Sequence, residues 1–341
     1  MEPTLRWVGD AQGHLALVDQ TLLPSRQLVL EHRDLAGVID SIKRLAVRGA
    51  PAIGVAAGFA VVIGVRERAP ADAAAFQRVL DEVVDIVSAA RPTAVNLAWA
   101  AERLRERGRR EPTLDALLDE ARAIHDEDVE LCRAMGEVGA DLIKPGFRVL
   151  THCNAGRLAT GGDGTALAVM FAAHARGTPF KVFADETRPL LQGSRLTALE
   201  LSEAGIEVDV IVDSAAAGLI ARGEVDLILT GADRVAANGD AANKVGTYGL
   251  SLAAKEHGVP MYIVAPASTF DLSVASGAEI PIEDRDPEEV LSILGHRIAA
   301  PGVGARNPAF DVTPAGHLAG LVTDRGLIHP ITTERIKATL G

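Results

Sequence analysis

The sequence predicts an α/β fold in which a small N-terminal strand-plus-helical domain precedes a doubly wound, Rossmann-like domain with a parallel sheet. Beyond residue 146, short apolar runs alternate with amphipathic runs, which is the pattern of βαβ units. Glycines follow the amphipathic runs where helix C-caps belong, at Gly177, Gly205, Gly223 and Gly258. The first domain shows a different pattern, in which apolar residues recur at three- and four-residue spacing.

The N-terminal domain begins with residues 5–32, which favour short strands and turns. The helices predicted after them span residues 34–45, 52–65, 71–89, 93–107 and 113–137. Pro92 and Pro112 separate the later helices, because proline cannot continue a helix. The pair Pro145-Gly146 ends the last helix and precedes a strand. We therefore predict one domain over residues 1–145 and a second, catalytic domain over residues 146–341.

The second domain alternates strands and helices. The predicted strands span residues 148–151, 180–184, 208–212, 227–230 and 261–265. The predicted helices span residues 165–175, 194–204, 215–221 and 245–257. Residues 321–328 indicate a hairpin or a late strand. Such alternation predicts a parallel sheet with helices on both faces.

Composition excludes several classes of function. Aromatic residues make up 4% of the chain and the formal net charge is −12, which together argue against a nucleic-acid-binding protein. The chain contains only Cys132 and Cys153, so we expect no disulfide framework and a reducing, cytoplasmic location. We also expect no signal peptide and no membrane span, because glycine or charged residues interrupt the longest apolar runs.

Cys153 is the first candidate for catalysis. It follows the predicted strand 148–151, and the carboxyl ends of parallel strands line the ligand crevice of such folds. The alternative is a structural role, in which Cys153 is a small buried residue at a strand end, as free cysteines commonly are. The glycine-rich stretch Gly161–Gly164 and the helix after it offer backbone N–H groups that would favour a thiolate. His152 is adjacent in a strand and should point to the opposite face, so we do not expect it to be the partner of the thiol.

Asp233 is the second candidate, because it follows the predicted strand 227–230. A carboxylic acid in a closing pocket could donate a proton to a substrate. The alternative is a solvated turn residue, or one that pairs with Arg234. If the two strands lie near each other, Cys153 and Asp233 face one crevice.

Three further segments suit an anion such as a phosphate. Asn243 could cap the predicted helix 245–257 and Lys244 would lie in its first turn, where a bound anion would satisfy both the lysine and the free N–H groups. Arg48 precedes a glycine–proline turn and a helix, and Arg91 precedes a similar turn.

No His/Cys/Asp spacing matches a zinc pattern, and Gly161–Gly164 matches neither a P-loop nor a dinucleotide fingerprint. We therefore predict no metal and no cofactor.

With these residues identified, the chain resembles the methylthioribose-1-phosphate isomerase family, which is related to regulatory subunits of translation initiation factor 2B. The motifs that carry the resemblance run through most of the chain. They are Val18-Asp-Gln-Thr-Leu-Leu-Pro24, Arg48-Gly-Ala-Pro-Ala52, Arg91-Pro-Thr-Ala-Val-Asn-Leu97, Thr151-His-Cys-Asn-Ala-Gly156, Asp185-Glu-Thr-Arg-Pro189, Gln192-Gly-Ser-Arg-Leu-Thr-Ala198, Gly231-Ala-Asp-Arg234, Ala237-Asn-Gly-Asp240, Asn243-Lys244 and Ile280-Pro-Ile-Glu283.

The resemblance implies an aldose–ketose isomerase that acts on 5-methylthioribose 1-phosphate in methionine salvage, without a cofactor and as a homodimer. It implies that Asp233 is the proton donor and Cys153 the second catalytic group. The substrate-binding residues that it implies are Arg48, Gly49, Ala50, Arg91, Gln192, Asn243 and Lys244. A related sugar 1-phosphate, either 5-deoxyribose 1-phosphate or ribose 1,5-bisphosphate, is an alternative substrate. A non-catalytic regulatory subunit with the same fold is the alternative from another functional class.

Overall fold

The computed structural model describes residues 2–91 and 94–340; Pro92 and Thr93, at the predicted start of the helix 93–107, lie outside the described residues. The chain divides into two units. The first contains the chain up to Leu131 together with Arg157–Gly164, and the second contains Cys132–Gly156 and the chain from Thr165 onward. This division falls inside one long helix, whereas the sequence places the domain boundary at residues 145 and 146. That boundary stays a prediction.

The first unit begins with three short antiparallel strands, in which the middle strand pairs with both others: β1 (Leu5–Val8), β2 (His14–Val18) and β3 (Val29–His32). All five predicted helices are present: α1 (Leu35–Lys43), α2 (Ala50–Glu67), α3 (Ala73–Ser88), α4 (Val95–Arg110) and α5 (Leu114–Gly139). Asp34 accepts the N–H of Gly37 at 2.8 Å, and Asp72 accepts that of Ala75 at 2.7 Å. These side-chain caps fix where α1 and α3 begin.

Helix α2 forms the core of the first unit. Every residue from Ala52 to Val65 is buried. By length and composition α2 could span a membrane, so the expectation that no apolar run is long enough was wrong. However, 78% of its apolar window is buried within the protein, which is typical of a core helix.

The second unit is built on a seven-stranded sheet in the order β16-β15-β10-β7-β4-β5-β6. The strands are β4 (Arg148–Thr151), β5 (Lys181–Asp185), β6 (Glu207–Ile211), β7 (Leu227–Thr230), β10 (Met261–Val264), β15 (Gly320–Thr323) and β16 (Gly326–Ile328). All neighbours are parallel except the hairpin of β15 and β16. Numbered along the chain, the six parallel strands follow the Rossmann order 3-2-1-4-5-6. The predicted strands, the late hairpin and the fold class are confirmed.

The central strands are apolar because helices cover both faces of a parallel sheet. All four residues of β7 are buried, whereas β6 lies at the edge and exposes Glu207 and Asp209. Lys181 pairs with both of these carboxylates across the strand, at 3.0 and 2.6 Å. Charges on the edge strand discourage pairing with another chain.

A second sheet, in the order β11-β8-β9-β14, was not predicted. Its strands are β8 (Arg234–Ala236), β9 (Ala241–Lys244), β11 (Phe270–Asp271) and β14 (Phe310–Thr313), and a separate pair is formed by β12 (Ser292–Ile293) and β13 (His296–Arg297). The predicted helices of this unit are α6 (Ala166–Ala175), α7 (Ala198–Glu203), α8 (Ala216–Ala221) and α9 (Thr247–His257). Two short helices, α10 (Glu288–Leu291) and α11 (Thr333–Leu340), were also not predicted.

The predicted helix 194–204 is α-helical only in its second half. Gly193–Thr197 forms a π-helical turn, and α7 follows it. The first residue of this turn approaches β5 closely, since a Cβ atom on Gly193 would lie 1.6 Å from the carbonyl oxygen of Asp185. Only glycine fits against the end of β5 at this point.

Candidate active site

The two candidate catalytic residues follow the central strands β4 and β7, which are hydrogen-bonded neighbours. In the order 3-2-1-4-5-6 these are strands 1 and 4, between which the chain changes direction across the sheet. Ligands of open α/β sheets bind at this switch point, beyond the carboxyl ends of the strands. Cys153 follows β4 and Asp233 follows β7, so the fold brings both residues to the same edge of the sheet.

Cys153 has an unusual backbone conformation. Its φ is +64°, in the left-handed region that residues other than glycine rarely adopt. Its N–H donates to the hydroxyl of Thr187 at 2.8 Å, and its carbonyl accepts from the hydroxyl of Thr197 at 2.7 Å. The side chain is partly exposed, whereas Cys132 in α5 is buried. Cys153 therefore lies on a turn that hydrogen bonds hold in place, and the residue is not fully buried.

Two N–H groups at the start of α6, the helix that follows this turn, bind a carbonyl oxygen rather than the thiol. The N–H groups of Thr165 and Leu167, at the start of α6, both donate to the carbonyl of Ala155, at 2.9 and 3.2 Å. They tie the helix to the turn that contains Cys153 and are not directed at the thiol. Two of the N–H groups that the sequence offered to the thiol thus have another partner.

A buried pair lies beside Cys153. The Nδ1 atom of His152 is 2.8 Å from a carboxylate oxygen of Asp185, and both side chains are 1% exposed. Its Nε2 atom is 2.9 Å from the carbonyl oxygen of Val245. Burial alone would lower the pKa of His152, but bonds to two acceptors outweigh it and raise the pKa. Both ring nitrogens are used, as expected for a histidine that is not the base of Cys153.

A second buried network holds the next residue. Asn154 donates through Nδ2 to Glu200 at 2.7 Å and to Thr197 at 3.1 Å. Asn154, Thr197 and Glu200 are each no more than 5% exposed. Buried polar groups of this kind specify one arrangement when they are satisfied. The turn 153–156 is therefore anchored on the helical segment that follows β5.

Asp233 has a different environment, because it is exposed. Its N–H donates to the carbonyl of Ala242 in β9 at 2.9 Å, which holds the turn between the two sheets. Arg234 forms an ion pair with Asp271 at 3.5 Å. The Gly-Ala turn before Asp233 thus leaves this residue exposed, and the closing pocket suggested by the sequence stays a prediction.

Asn243 and Lys244 end strand β9 rather than begin a helix, which corrects the prediction for them. Helix α9 begins at Thr247, and Asp311 already accepts the N–H groups of Gly246 and Tyr248, at 2.7 and 3.0 Å. The helix start is therefore occupied by a carboxylate of the chain itself. Asn243 donates to the hydroxyl of Thr247 at 2.9 Å.

Lys244 remains a cation of the second sheet. Its Nζ donates to the carbonyl of Ala309 at 2.9 Å and lies 4.7 Å from the centre of the Phe310 ring.

Gln192 is 4% exposed, and its Oε1 atom has no hydrogen-bond partner within the part of the chain that the structure describes. A buried amide oxygen normally has a partner, so Gln192 has the capacity to accept a bond from a ligand.

The remaining predicted binding residues belong to the first unit. Gly49 has a φ of +89° and precedes α2, and a Cβ atom there would lie 2.5 Å from the carbonyl oxygen of Ala159. Ala50 is the first residue of α2, whose N-terminus has no side-chain cap.

Arg48 donates to Gln20 at 3.3 Å. Arg91 lies at the edge of the described segment before α4, and its carbonyl accepts from Ala94 at 2.9 Å.

One group of side chains has the composition of a metal site. Ligand atoms of His152, Asp185 and Asp213 lie within 4.8 Å of one another. The two oxygens of Asp213 accept the N–H groups of Thr187 and Arg188, each at 2.7 Å. His152 and Asp185 bind each other. All three side chains are thus engaged in hydrogen bonds that hold the turns after β4 and β5.

Sequence reasoning missed the residues that support Cys153. Thr187 and Asp185 lie in one of the motifs that carry the family resemblance, and Thr197 lies in another. Their place in these motifs was the signal in the sequence that they could support the site. Hydrogen-bond partners that lie 33 to 46 residues apart cannot be paired from a single sequence. By contrast, Asp240 in the motif Ala237-Asn-Gly-Asp240 accepts the N–H groups of Gly277 and Ala315 and serves the turn between β8 and β9.

Comparison with known proteins agrees with this architecture. A family model described as the initiation factor 2 subunit family matches residues 46–330. The chain belongs to the initiation factor 2 subunit family. A relative from Syntrophotalea carbinolica named methylthioribose-1-phosphate isomerase is 51% identical, covering 93% of this chain and 94% of its own length. Another, from Moorella thermoacetica, is named 5-deoxyribose 1-phosphate isomerase and is 49% identical, covering 96% and 95%.

A solved member of the family has the same fold. The crystal structure of 5-methylthioribose 1-phosphate isomerase from Pyrococcus horikoshii OT3 is similar with a TM-score of 0.92 and 43% identity, covering 99% of this chain and 96% of that one. The resemblance found in the sequence is confirmed. Within the initiation factor 2 subunit family, relatives named as sugar-phosphate isomerases are therefore similar to this chain over nearly its full length.

Proposed function

We propose that this protein is an aldose–ketose isomerase that converts 5-methylthioribose 1-phosphate into 5-methylthioribulose 1-phosphate, a step of methionine salvage. One observation carries the proposal: a thiol and a carboxylic acid follow the two neighbouring strands at the switch point of a Rossmann-like sheet. The name of the Syntrophotalea relative, which is 51% identical, supports it.

The chemistry requires two groups of this kind. Phosphorylation of O1 prevents ring opening to a free aldehyde, so the bond between C1 and the ring oxygen must break while an acid protonates that oxygen. We assign this proton to Asp233. The hydrogen on C2 must then reach C1 as the 2-hydroxyl loses its proton to solvent and becomes the ketone, and Asp233 regains a proton from solvent before the next turnover. Cys153 either carries the C2 proton through an enediol or assists a hydride shift, and both routes give the same product.

The surroundings of the two groups fit these roles unequally. Cys153 already lies on a turn that hydrogen bonds hold in place, and the residue is not fully buried. Asp233 is exposed, so its action as an acid requires that the bound substrate remove water from it. We propose that substrate binding supplies this desolvation.

We propose that the substrate is bound by residues that include cations, a buried amide and backbone groups. They are Arg48, Gly49, Ala50, Arg91, Gln192, Asn243 and Lys244. In a chain with a net charge of −12, local cations and backbone N–H groups must provide the attraction for a phosphate. The proposal uses no metal and no organic cofactor, and a homodimer in the cytoplasm stays a prediction.

The test is a panel of sugar 1-phosphates assayed with protein that has been dialysed against a chelator. We expect the highest kcat/KM for 5-methylthioribose 1-phosphate, and D233N as the matched control should be inactive. Preference for 5-deoxyribose 1-phosphate would favour the second candidate, which rests on the name of the Moorella relative. Preference for ribose 1,5-bisphosphate would also refute the assignment of the substrate. Absence of turnover with every sugar would favour a regulatory subunit.

A further inference from the structure

We propose that Thr187 and Thr197 are positioning residues that hold Cys153 in its reactive conformation by clamping its backbone from both sides. The inference rests on the proposed function, because it assigns Cys153 a part in the reaction. Neither threonine contacts the thiol through its hydroxyl; each hydrogen bonds a backbone group of Cys153.

Both polar backbone groups of Cys153 are bound by hydroxyls. The N–H reaches Thr187 at 2.8 Å and the carbonyl reaches Thr197 at 2.7 Å. Both threonines are completely buried. Because φ at Cys153 is +64°, neither strand nor helix geometry supplies partners for these groups. The two hydroxyls replace the partners that regular structure would give.

Each of the two hydroxyls has a fixed direction. Thr187 donates its only hydroxyl hydrogen to the carbonyl of Asp185 at 3.0 Å, so it can only accept from Cys153. Thr197 donates to the carbonyl of Cys153 and accepts from Asn154 at 3.1 Å. Neither hydroxyl can turn to another partner without losing one of its bonds. The clamp is therefore rigid.

The backbone of Thr187 is itself strained. Its φ is also +64°, which is a genuine outlier for a β-branched residue. Asp213 holds it there by accepting the N–H groups of Thr187 and Arg188, each at 2.7 Å. Strained residues persist only where the surroundings over-determine them, and they cluster at functional sites. Two such residues joined by one hydrogen bond indicate a geometry that serves the thiol.

The test compares valine and serine at both positions in a C132A background, where Cys153 is the only thiol. T187V and T197V remove the hydroxyl at nearly constant volume, whereas T187S and T197S keep it. T323V is the matched control, because Thr323 is equally buried and its hydroxyl also donates to a carbonyl, of Gly326, and accepts an N–H, of Arg325. The measurements are kcat, KM and the rate of alkylation of Cys153 by iodoacetamide as a function of pH.

We expect each valine variant to lower kcat by about tenfold to a hundredfold, with KM changed less than about threefold, since a small displacement of a reacting group has this effect. The pH profile of alkylation should change in the same variants, and both serine variants should restore kcat and the profile. T323V should match the background enzyme. A merely structural role would lower thermal stability in all three valine variants and leave the alkylation profile of folded protein unchanged, which would overturn the clamp.

A measurement on the unaltered protein covers the case in which the valine variants do not fold. By amide hydrogen exchange followed by NMR, the Cys153 N–H should exchange slowly although the residue is partly exposed. Rapid exchange in the folded protein would overturn the clamp. The alkylation and exchange experiments need no sugar. Their results can therefore still be interpreted if the proposed isomerase activity is not found.

Discussion

The ends of strands β4 and β7 lie side by side, yet they hold their functional groups in opposite ways. After β4, Cys153 lies in a left-handed turn with both backbone groups bound by buried threonines. After β7, Asp233 is exposed and its N–H bonds to β9. The thiol is thus organised before any ligand arrives. The carboxyl group is exposed, and we propose that a bound substrate shields it from water.

The charged pairs beneath the two turns repeat the contrast. His152 and Asp185, beside β4, are each 1% exposed. Arg234 and Asp271, beside β7, are 23% and 33% exposed and 3.5 Å apart. Exposed pairs contribute little to stability, whereas breaking a buried pair leaves an uncompensated charge in the interior. The β4 side is therefore the rigid half of the candidate site.

The largest effect is expected from replacing the two functional groups themselves. C153S and D233N should each reduce kcat by roughly 100- to 10,000-fold, the usual scale for a proton-transfer group, while the fold is retained. The two variants should differ in stability: D233N changes an exposed side chain and should lower the melting temperature less than C153S, which changes a partly buried residue. Steady-state kinetics and thermal unfolding measure both. Near wild-type kcat in either variant would remove that residue from the mechanism.

The second effect concerns the buried pair. H152A should lower the free energy of unfolding by about 3–5 kcal/mol, because it leaves Asp185 buried without its partner. R234A is the matched control on the β7 side and should cost less than about 1 kcal/mol. Urea denaturation measures both. Equal costs for the two variants would contradict the contrast between the strand ends.

The same pair predicts a pH dependence of stability. Burial opposes charge on His152, but its bonds to Asp185 and Val245 outweigh this and raise its pKa above the ordinary 6.5. The folded state therefore binds the proton more tightly than the unfolded state. The stabilisation is complete below about pH 6.5 and declines as the pH rises through the raised pKa. H152A should flatten this decline, which urea titrations at several pH values would detect.

Much of the architecture was predictable from sequence. The parallel strands are short apolar runs that end at glycine or polar residues, and β4 and β7 lie where periodicity placed them. Once the strand order is a doubly wound one, Cys153 and Asp233 must reach the same edge of the sheet. Local pattern and a single topological rule were sufficient for that conclusion.

The rest depends on contacts that local pattern does not contain. Lys244 was placed in a helix because the residues before Thr247 have helix-start chemistry, whereas β9 is set by pairing with β14, far along the chain. The positive φ of Cys153 is imposed by Thr187 and Thr197. The exposure of Asp233 likewise cannot be predicted from a Gly-Ala turn.

The smallest single effect is expected from the cations proposed to bind phosphate. K244A and R48A should raise KM for the sugar phosphate by about tenfold and make KM less dependent on salt, with a smaller change in kcat. K255A is the matched control, since Lys255 is an exposed lysine in the last turn of α9. Unchanged KM and unchanged inhibition by inorganic phosphate in both variants would refute the phosphate assignment.

The most direct test of the central claim, that the two strand ends form one catalytic site, is the turnover of the double variant C153S/D233N beside the two single variants. If both groups serve one reaction sequence, the slower single variant already sets the rate. The double variant should then be no slower than that single variant, within about threefold. A loss equal to the product of the two single losses would mean that Cys153 and Asp233 act independently, and it would contradict the account.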